Sequence, residues 1–175
     1  MSDDYPFVSV IVPVYNDPEG IAQCLSAIQE QTYPDERFEV LVVDNGSTDT
    51  TPEVIREFEG VGLLVEDETQ GSYAARNRGI ERAQGEVLAF TDADCTPSQE
   101  WIDAGVGTLR RELWRHVPRG DLVYLVDVPG EDLQGVLGVR GHHHVAVLPH
   151  RDQLRVRDGD LIVLDGRGDG RQCRG

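Results

Sequence analysis

A chain of 175 residues is long enough for one domain with a real core and too short for two full ones. Hydrophobic residues make up 39% and aromatics 6%, which excludes a disordered tail, and no apolar run approaches the ~20 residues of a membrane span. A formal charge of −16, with all 16 basic residues arginine, argues against nucleic acid, whose phosphates select for basic patches.

The N-terminus, MSDDYPFVSV, carries two acids and no basic stretch, so a secretory signal is not expected and a cytoplasmic protein is. Phe7 to Val14 is a β-branched run that predicts a first strand, ended by the turn-like Tyr15-Asn16-Asp17-Pro18. Pro18 to Gln31 predicts a helix with Ile21, Leu25 and Ile28 on one face. Phe38 to Val43 is nearly all apolar, as a strand covered on both faces should be. Asp44 to Asp49 (DNGSTD) is a turn rich in side-chain acceptors, leading into a helix over Pro52 to Phe58 with proline in its first turn. Val61 to Val65 is a third strand. Ser72 to Gln84 is a helix with Gly85 expected as its C-cap. Glu86 to Phe90 is a fourth strand with Thr91-Asp92-Ala93-Asp94 at its carboxyl end, and Pro97 to about Arg115 can be helical.

This alternation predicts an α/β fold, a mostly parallel sheet with helices on both faces. Ligands of such sheets bind beyond the carboxyl ends of the strands. Tyr15, Asp44 and Asp92 each fall just past a predicted strand end, so one crevice can hold all three.

The composition changes near Leu109. Residues 1–109 hold 22 acids against 5 arginines, a net of −17, while residues 110–175 hold 10 against 11, a net of +1. All five histidines and 10 of the 19 glycines fall in the second part. Its apolar runs, Leu122 to Val128, Val145 to Leu148 and Leu161 to Leu164, are brief, and predict an irregular or small β segment: either a few strands or a poorly folded stretch. Two readings account for it: a divergent or independent β element, or a segment read in a shifted frame from near Thr108 to Arg119.

Asp92-x-Asp94 is the motif that carries chemistry. Two carboxylates one residue apart where a strand breaks can converge on a hard cation such as Mn²⁺ or Mg²⁺, which bridges diphosphate oxygens. Alone, the tripeptide is equally an acidic loop. His142-His143-His144 is a poor metal site, because adjacent side chains on an extended segment alternate in direction and no second cluster accompanies them. Cys24, Cys95 and Cys173 are too dispersed for a metal or disulfide framework, and inert thiols are expected. Trp101 and Trp114 are expected in or beside the core. Neither G-x-G-x-x-G nor G-x-x-x-x-G-K-[ST] occurs, which leaves oxidoreductase and P-loop readings without their residues.

Context gives Asp92-x-Asp94 its weight. Ser9 to Asn16 (SVIVPVYN), Val42 to Asp49 (VVDNGSTD), Ala75 to Ile80 (ARNRGI) and Phe90 to Asp94 (FTDAD) occur in one order at domain-like spacing. Together they resemble the family-2-like inverting glycosyltransferases of the GT-A fold, over roughly Val8 to Asp103. Gln31-Thr32-Tyr33-Pro34 is similar to that family as well.

The resemblance implies a GT-A (Rossmann-like) nucleotide-sugar-binding portion over residues 1–109, incomplete, with 110–175 unassigned. It implies that Pro13 and Tyr15 lie against the nucleotide, Tyr15 on the base. Asp44 would accept from base or ribose, and Arg76 would reach the base or diphosphate. Asp94 would hold the metal directly, with Asp92 on the ribose or on the metal through water. Ordinary alternatives stand beside each role: packing for Tyr15, turn formation for Asp44, a surface ion pair for Arg76. Asn45 stands where many relatives carry a second Asp, so a contact there would be neutral, and Asn77 is expected to hold local backbone. Asp49 is expected to serve the following helix. The implied partners are a nucleotide-diphosphate sugar and a sugar or lipid-linked acceptor, the latter placing the protein peripherally at a membrane.

An inverting transferase also requires a carboxylate base to deprotonate the acceptor hydroxyl. None is identifiable after Leu109, where Glu131-Asp132 is the one adjacent acidic pair and its flanks do not match. The leading expectation is therefore a glycosyltransferase. An inactive or truncated nucleotide-sugar-binding fragment is the alternative. A nucleotidyltransferase would need a Gly-rich basic loop where Tyr15-Asn16-Asp17 stands.

Overall fold

A computed structural model describes residues 5–112 and, further along, the backbone of five strands at 122–127, 143–148, 154–157, 160–163 and 171–172. Trp114, Glu131, Asp132, His142 and Cys173 lie outside the described residues, as do residues 113–119 of the span, Thr108 to Arg119, over which a frame change is considered.

Four strands make the centre of the sheet: β1 (Val8–Val14), β2 (Phe38–Asp44), β3 (Val61–Val65) and β4 (Val87–Phe90). All are parallel, with Val8 opposite Phe38 on one side and Val87 on the other. The sheet continues through β5 (Leu122–Asp127), parallel to β4, and β6 (His143–Leu148), antiparallel to β5, giving the order β3-β2-β1-β4-β5-β6. The short strands β7 (Leu154–Arg157), β8 (Asp160–Val163) and β9 (Arg171–Gln172) form a separate antiparallel sheet.

Burial on both faces explains the uninterrupted apolar strands. Successive side chains of β1 point to opposite faces. Val8, Val10, Val12 and Val14 enter one core layer, with Ile21, Cys24, Leu25 and Ile28 of α1 (Pro18–Gln29), Ile55 of α2 (Thr51–Arg56), and Trp101, Ile102 and Val106 of α4 (Trp101–Glu112). Ile11 faces the other layer, with Leu41, Val43, Leu88, Phe90 and, from α3 (Ser72–Arg82), Ala75 and Ile80. The helices thus lie on both faces, as the alternation predicts. Among the described residues no helix is long and apolar enough to cross a membrane.

Two glycines set close approaches. A Cβ on Gly79 would stand 2.5 Å from Cγ2 of Ile11, so glycine lets α3 sit directly on β1. Gly85 corrects the expectation of a helix cap: α3 ends at Arg82, with Ala83 extended at its C-cap. Gly85 instead passes so near backbone that a Cβ would meet Ser9 N at 2.5 Å and the carbonyls of Val87 and Phe7 at 2.7 and 2.9 Å. The fully buried Ser9 hydroxyl accepts from the amides of Gly85 (2.8 Å) and Gln84 (3.2 Å) and donates to Glu39, whose Oε1 also accepts from Gln84 N (2.7 Å). Those interactions draw residues 84 and 85 off the helix.

α1 likewise stops at Gln29, two residues before the expected end. Gln31 is buried because its amide donates to the carbonyl of Ser98 (2.6 Å) and its Oε1 accepts from Ile102 N (3.0 Å), while Thr32 N donates to Gln99 O (2.8 Å). Tyr33 is buried as well, its hydroxyl donating to Pro6 O (2.6 Å) and its ring edge-on to Tyr5. Burial holds its phenol far above the ordinary tyrosine range. The Gln31-Thr32-Tyr33-Pro34 segment therefore anchors the stretch that leads from Asp94 to α4.

Candidate functional site

Pro13 lies where the sheet opens. β1 is a central strand, where proline normally removes a ladder bond. Pairing of β1 with β4 ends at Ile11 opposite Phe90, after which Thr91 N donates to Ile11 O. Groups of alternate residues point to alternate sides, and Val14 O already serves Asn45 N on the β2 side. The missing N–H of Pro13 thus faces past the end of β4, and no ladder bond is lost. From β1 the chain passes to β2 and β3 on one side, while β4 lies on the other. The gap between β1 and β4 is a topological switch point, where doubly wound sheets bind ligands.

An open crevice of about 310 Å³ lies there, lined by Pro13, Tyr15, Asn45, Arg76, Asp92 and Asp94 among others. Tyr15 is 52% exposed, a large ring left in solvent at the crevice. Asn16 beside it takes a left-handed conformation (φ 48°), its N–H donates to Ser47 Oγ (2.8 Å), and its side-chain oxygen accepts from Thr48 N (2.7 Å). The loops after β1 and β2 are thereby fastened together. Asp17 completes the turn by accepting from Gly20 N (2.9 Å) as the N-cap of α1.

Asp44 and Asn45, adjacent in sequence, do different work. Asp44 is buried and absent from the crevice lining; its carboxylate accepts from Ser47 N (3.1 and 3.3 Å), the turn-forming role anticipated as its ordinary alternative. Asn45 lines the crevice, and its amide is engaged with residues 66–71. Asp49 serves the next helix, accepting from Thr51 N (2.9 Å), and hydrogen bonding from Thr51 holds its carboxyl below the ordinary aspartate range.

Arg76 pairs with Asp92 through Nη2 and Oδ1, the arginine side chain 18% and the aspartate 45% exposed. Its Nη1 donates to Ser72 Oγ one turn earlier (3.1 Å). The Asp92 carbonyl accepts from Cys95 N (3.0 Å) and from the buried Cys24 thiol (3.6 Å), so the strand end is fixed from both sides. Asp94 is exposed, with the Cys95 thiol 3.8 Å from its Oδ1. Partial burial, together with the carboxylates of Asp94 and Asp92, pushes the Cys95 thiol up.

The crevice thus brings together Pro13, Tyr15, Arg76, Asp92 and Asp94, and Asp44 is not among its lining residues. Sequence reasoning missed that Asn45 is a tether and that Arg76 and Asp92, 16 residues apart, find each other. Both depend on contacts between distant segments that no local pattern announces. His143 and His144 fall on β6 and His142 lies outside the described residues; among those residues there is no grouping of three or more His, Cys, Asp or Glu able to hold a metal. A second groove of about 380 Å³ lies along residues 65–69 and α3, lined by Glu66, Asp67, Glu68 and Glu81 around Arg78. That acid excess suits no diphosphate.

A doubly wound sheet with a carboxylate pair and an arginine at its switch point has the GT-A fold, and the comparisons agree on it. Residues 9–113 match the model of Glycosyl transferase family 2, and the chain belongs to that family. It is 55% identical over 113 residues to Glycosyltransferase AglE of Haloferax volcanii, covering 62% of this chain and 37% of that protein. It is 32% identical over 111 residues to a dolichyl N-acetyl-alpha-D-glucosaminyl phosphate diacetamido-dideoxy-glucuronosyltransferase of Methanococcus voltae, 60% of this chain and 34% of that one. Among solved structures it is similar to the mannosyltransferase PcManGT of Pyrobaculum calidifontis in complex with GDP-Man and Mn²⁺ (TM-score 0.58, 37% identity, 61% of this chain, 33% of that one). It is also similar to S. aureus TarS in complex with UDP-GlcNAc (TM-score 0.57, 29% identity, 75% and 37%). The chain spans about a third of the length of these two curated relatives.

Proposed function

We propose that this chain carries the nucleotide-sugar-binding portion, residues 1–109, of a glycosyltransferase that moves a sugar with inversion from a nucleotide-diphosphate donor to a hydroxyl acceptor. The observation that carries this reading is the convergence of Tyr15, Arg76, Asp92 and Asp94 on one crevice at the switch point. An exposed aromatic face suits a nucleotide base. Arg76 is a fixed cation for the base or the diphosphate. Asp92, held by Arg76, presents its remaining oxygen to a ribose hydroxyl, and Asp44 shapes the turn after β2. The donors named in the structures of PcManGT and TarS, GDP-Man and UDP-GlcNAc, support the same ligand class.

The donor set fits a divalent cation, manganese or magnesium. Two aspartate carboxylates at a strand end, one of them exposed, are hard oxygen donors, and such ions take one or two carboxylates together with substrate phosphates and water. Asp94 would hold the ion directly and Asp92 through water. When bound, the ion supplies charge neutralisation for the departing diphosphate.

The acceptor is proposed to be a sugar or a lipid-linked sugar, with the protein peripheral at a membrane. The support is the Methanococcus voltae relative, whose name specifies a dolichyl-phosphate-linked acceptor. A second reading, a nucleotide-sugar-binding module without turnover, is favoured by one observation: among the described residues the crevice is lined by no carboxylate besides Asp17, which caps α1, Asp92 and Asp94. Incubating the chain with UDP- and GDP-sugars and Mn²⁺, with nucleotide diphosphate release followed by phosphorus NMR, tests both. Release above the protein-free rate supports transfer or donor hydrolysis. Binding without release supports the module, and neither, in a folded sample, overturns the proposal.

A further inference from the structure

We infer that Asn45 is a positioning residue that sets Arg76 in the crevice by clasping the 66–71 loop to the end of β2. Its side chain is buried and uses both donors and one acceptor position: Nδ2 donates to the carbonyls of Glu66 (2.8 Å) and Thr69 (2.9 Å), and Oδ1 accepts from Gly71 N (2.6 Å). Its own N–H donates to Val14 O (2.9 Å), so the residue is fixed to β1 while it holds the loop.

The loop matters because it starts α3. Gly71 is the N-cap of α3, at φ 129°, and no side chain of the cap hydrogen-bonds the first turn. The start of the helix is therefore held from outside, by Asn45. Ser72 follows, its hydroxyl accepts from Arg76 Nη1, and Arg76 reaches Asp92. A path of hydrogen bonds, joined by the peptide link between Gly71 and Ser72, runs from the end of β2 to the strand end of β4. Relatives with aspartate here lack this clasp's donor: in this chain a carboxylate at 45 would offer nothing to the carbonyls of Glu66 and Thr69 and would be held against them.

The affinity arm of the test rests on the donor-binding reading; the exchange arm does not. Hydrogen exchange on the full chain compares wild type with Asn45→Asp and with Asn45→Ala, which removes the same bonds without adding charge. The expected result is exchange roughly tenfold faster across residues 66–76, with β1 and the first residues of β2 unchanged. Affinity for UDP or GDP with Mn²⁺ is expected to fall about tenfold in Asn45→Asp and to fall no further when Asn45→Asp is added to Arg76→Ala. Unchanged exchange at 66–76, additive losses in the double variant, or global unfolding of both variants would each overturn the inference. A wild type that binds no nucleotide would overturn the donor-binding reading alone, and the exchange comparison would still decide the clasp.

Discussion

The two ends of one parallel sheet treat polar residues in opposite ways. At the amino ends of the strands, Ser9, Glu39, Gln84 and Gly85 close their hydrogen bonds on one another, and Ser9 is fully buried. At the carboxyl ends, Arg76 and Asp92 form one pair with the aspartate 45% exposed, Asp94 stays in solvent, and a tyrosine ring stands at 52% exposure. A closed network contributes stability and leaves nothing for a ligand. An open one contributes little stability, since partly exposed ion pairs are worth at most ~1 kcal/mol, and leaves charge and aromatic surface available. The same pleated scaffold therefore separates folding from binding by end.

That separation can be broken or sharpened by substitution. The largest effect is expected from Gly85→Ala, whose Cβ would press on three backbone atoms at 2.5–2.9 Å. A loss of about 3 kcal/mol in denaturant unfolding follows, because backbone gives way less readily than side chains. Ser9→Ala takes the acceptor hydroxyl from Gly85 N and from Glu39 its buried donor, while Gln84 N keeps Glu39 Oε1. It should cost about 2 kcal/mol while leaving nucleotide affinity, by calorimetry, unchanged. A change in affinity there would show that the two ends are coupled. Arg76→Ala reverses the pattern: stability shifts by less than ~1 kcal/mol and nucleotide affinity falls about tenfold, or ~1.4 kcal/mol. Tyr15→Ala is the smallest, about threefold in affinity with unfolding stability within ~0.5 kcal/mol of wild type.

The contrast also marks what was legible in the sequence. β1, β2 and β4 announced themselves because burial on both faces makes them nearly continuous apolar runs, β3 as a short apolar run at the sheet edge, and α1 through Ile21, Leu25 and Ile28. Asp92-x-Asp94 at a strand end and the arginine of ARNRGI were readable as charged groups in turn and helix contexts. Helix ends were less readable: Gln31, Gln84 and Gly85 look helical or helix-terminating locally, and contacts with Ser98, Ile102, Ser9 and Glu39 decide otherwise. Asp44 and Asn45 look alike as turn formers. Only the fold puts one carboxylate on Ser47 N and sends the neighbouring amide to residues 66–71, 21 to 26 positions away. Beyond residue 112 the backbone of β5 and β6 extends the sheet, over the apolar runs at Leu122 and Val145 that allow a few strands.

The central claim is that the carboxyl end of the sheet is a metal-assisted donor site. Its most direct test is calorimetric titration of the full chain with UDP and with GDP, with and without Mn²⁺, on wild type and on Asp94→Ala. Binding of at least one nucleotide is expected to require Mn²⁺ and to be lost in Asp94→Ala, with thermal stability within ~0.5 kcal/mol of wild type because Asp94 is exposed. Nucleotide binding indifferent to both the metal and the substitution, or none at all in a folded wild type, would contradict a metal-assisted donor site.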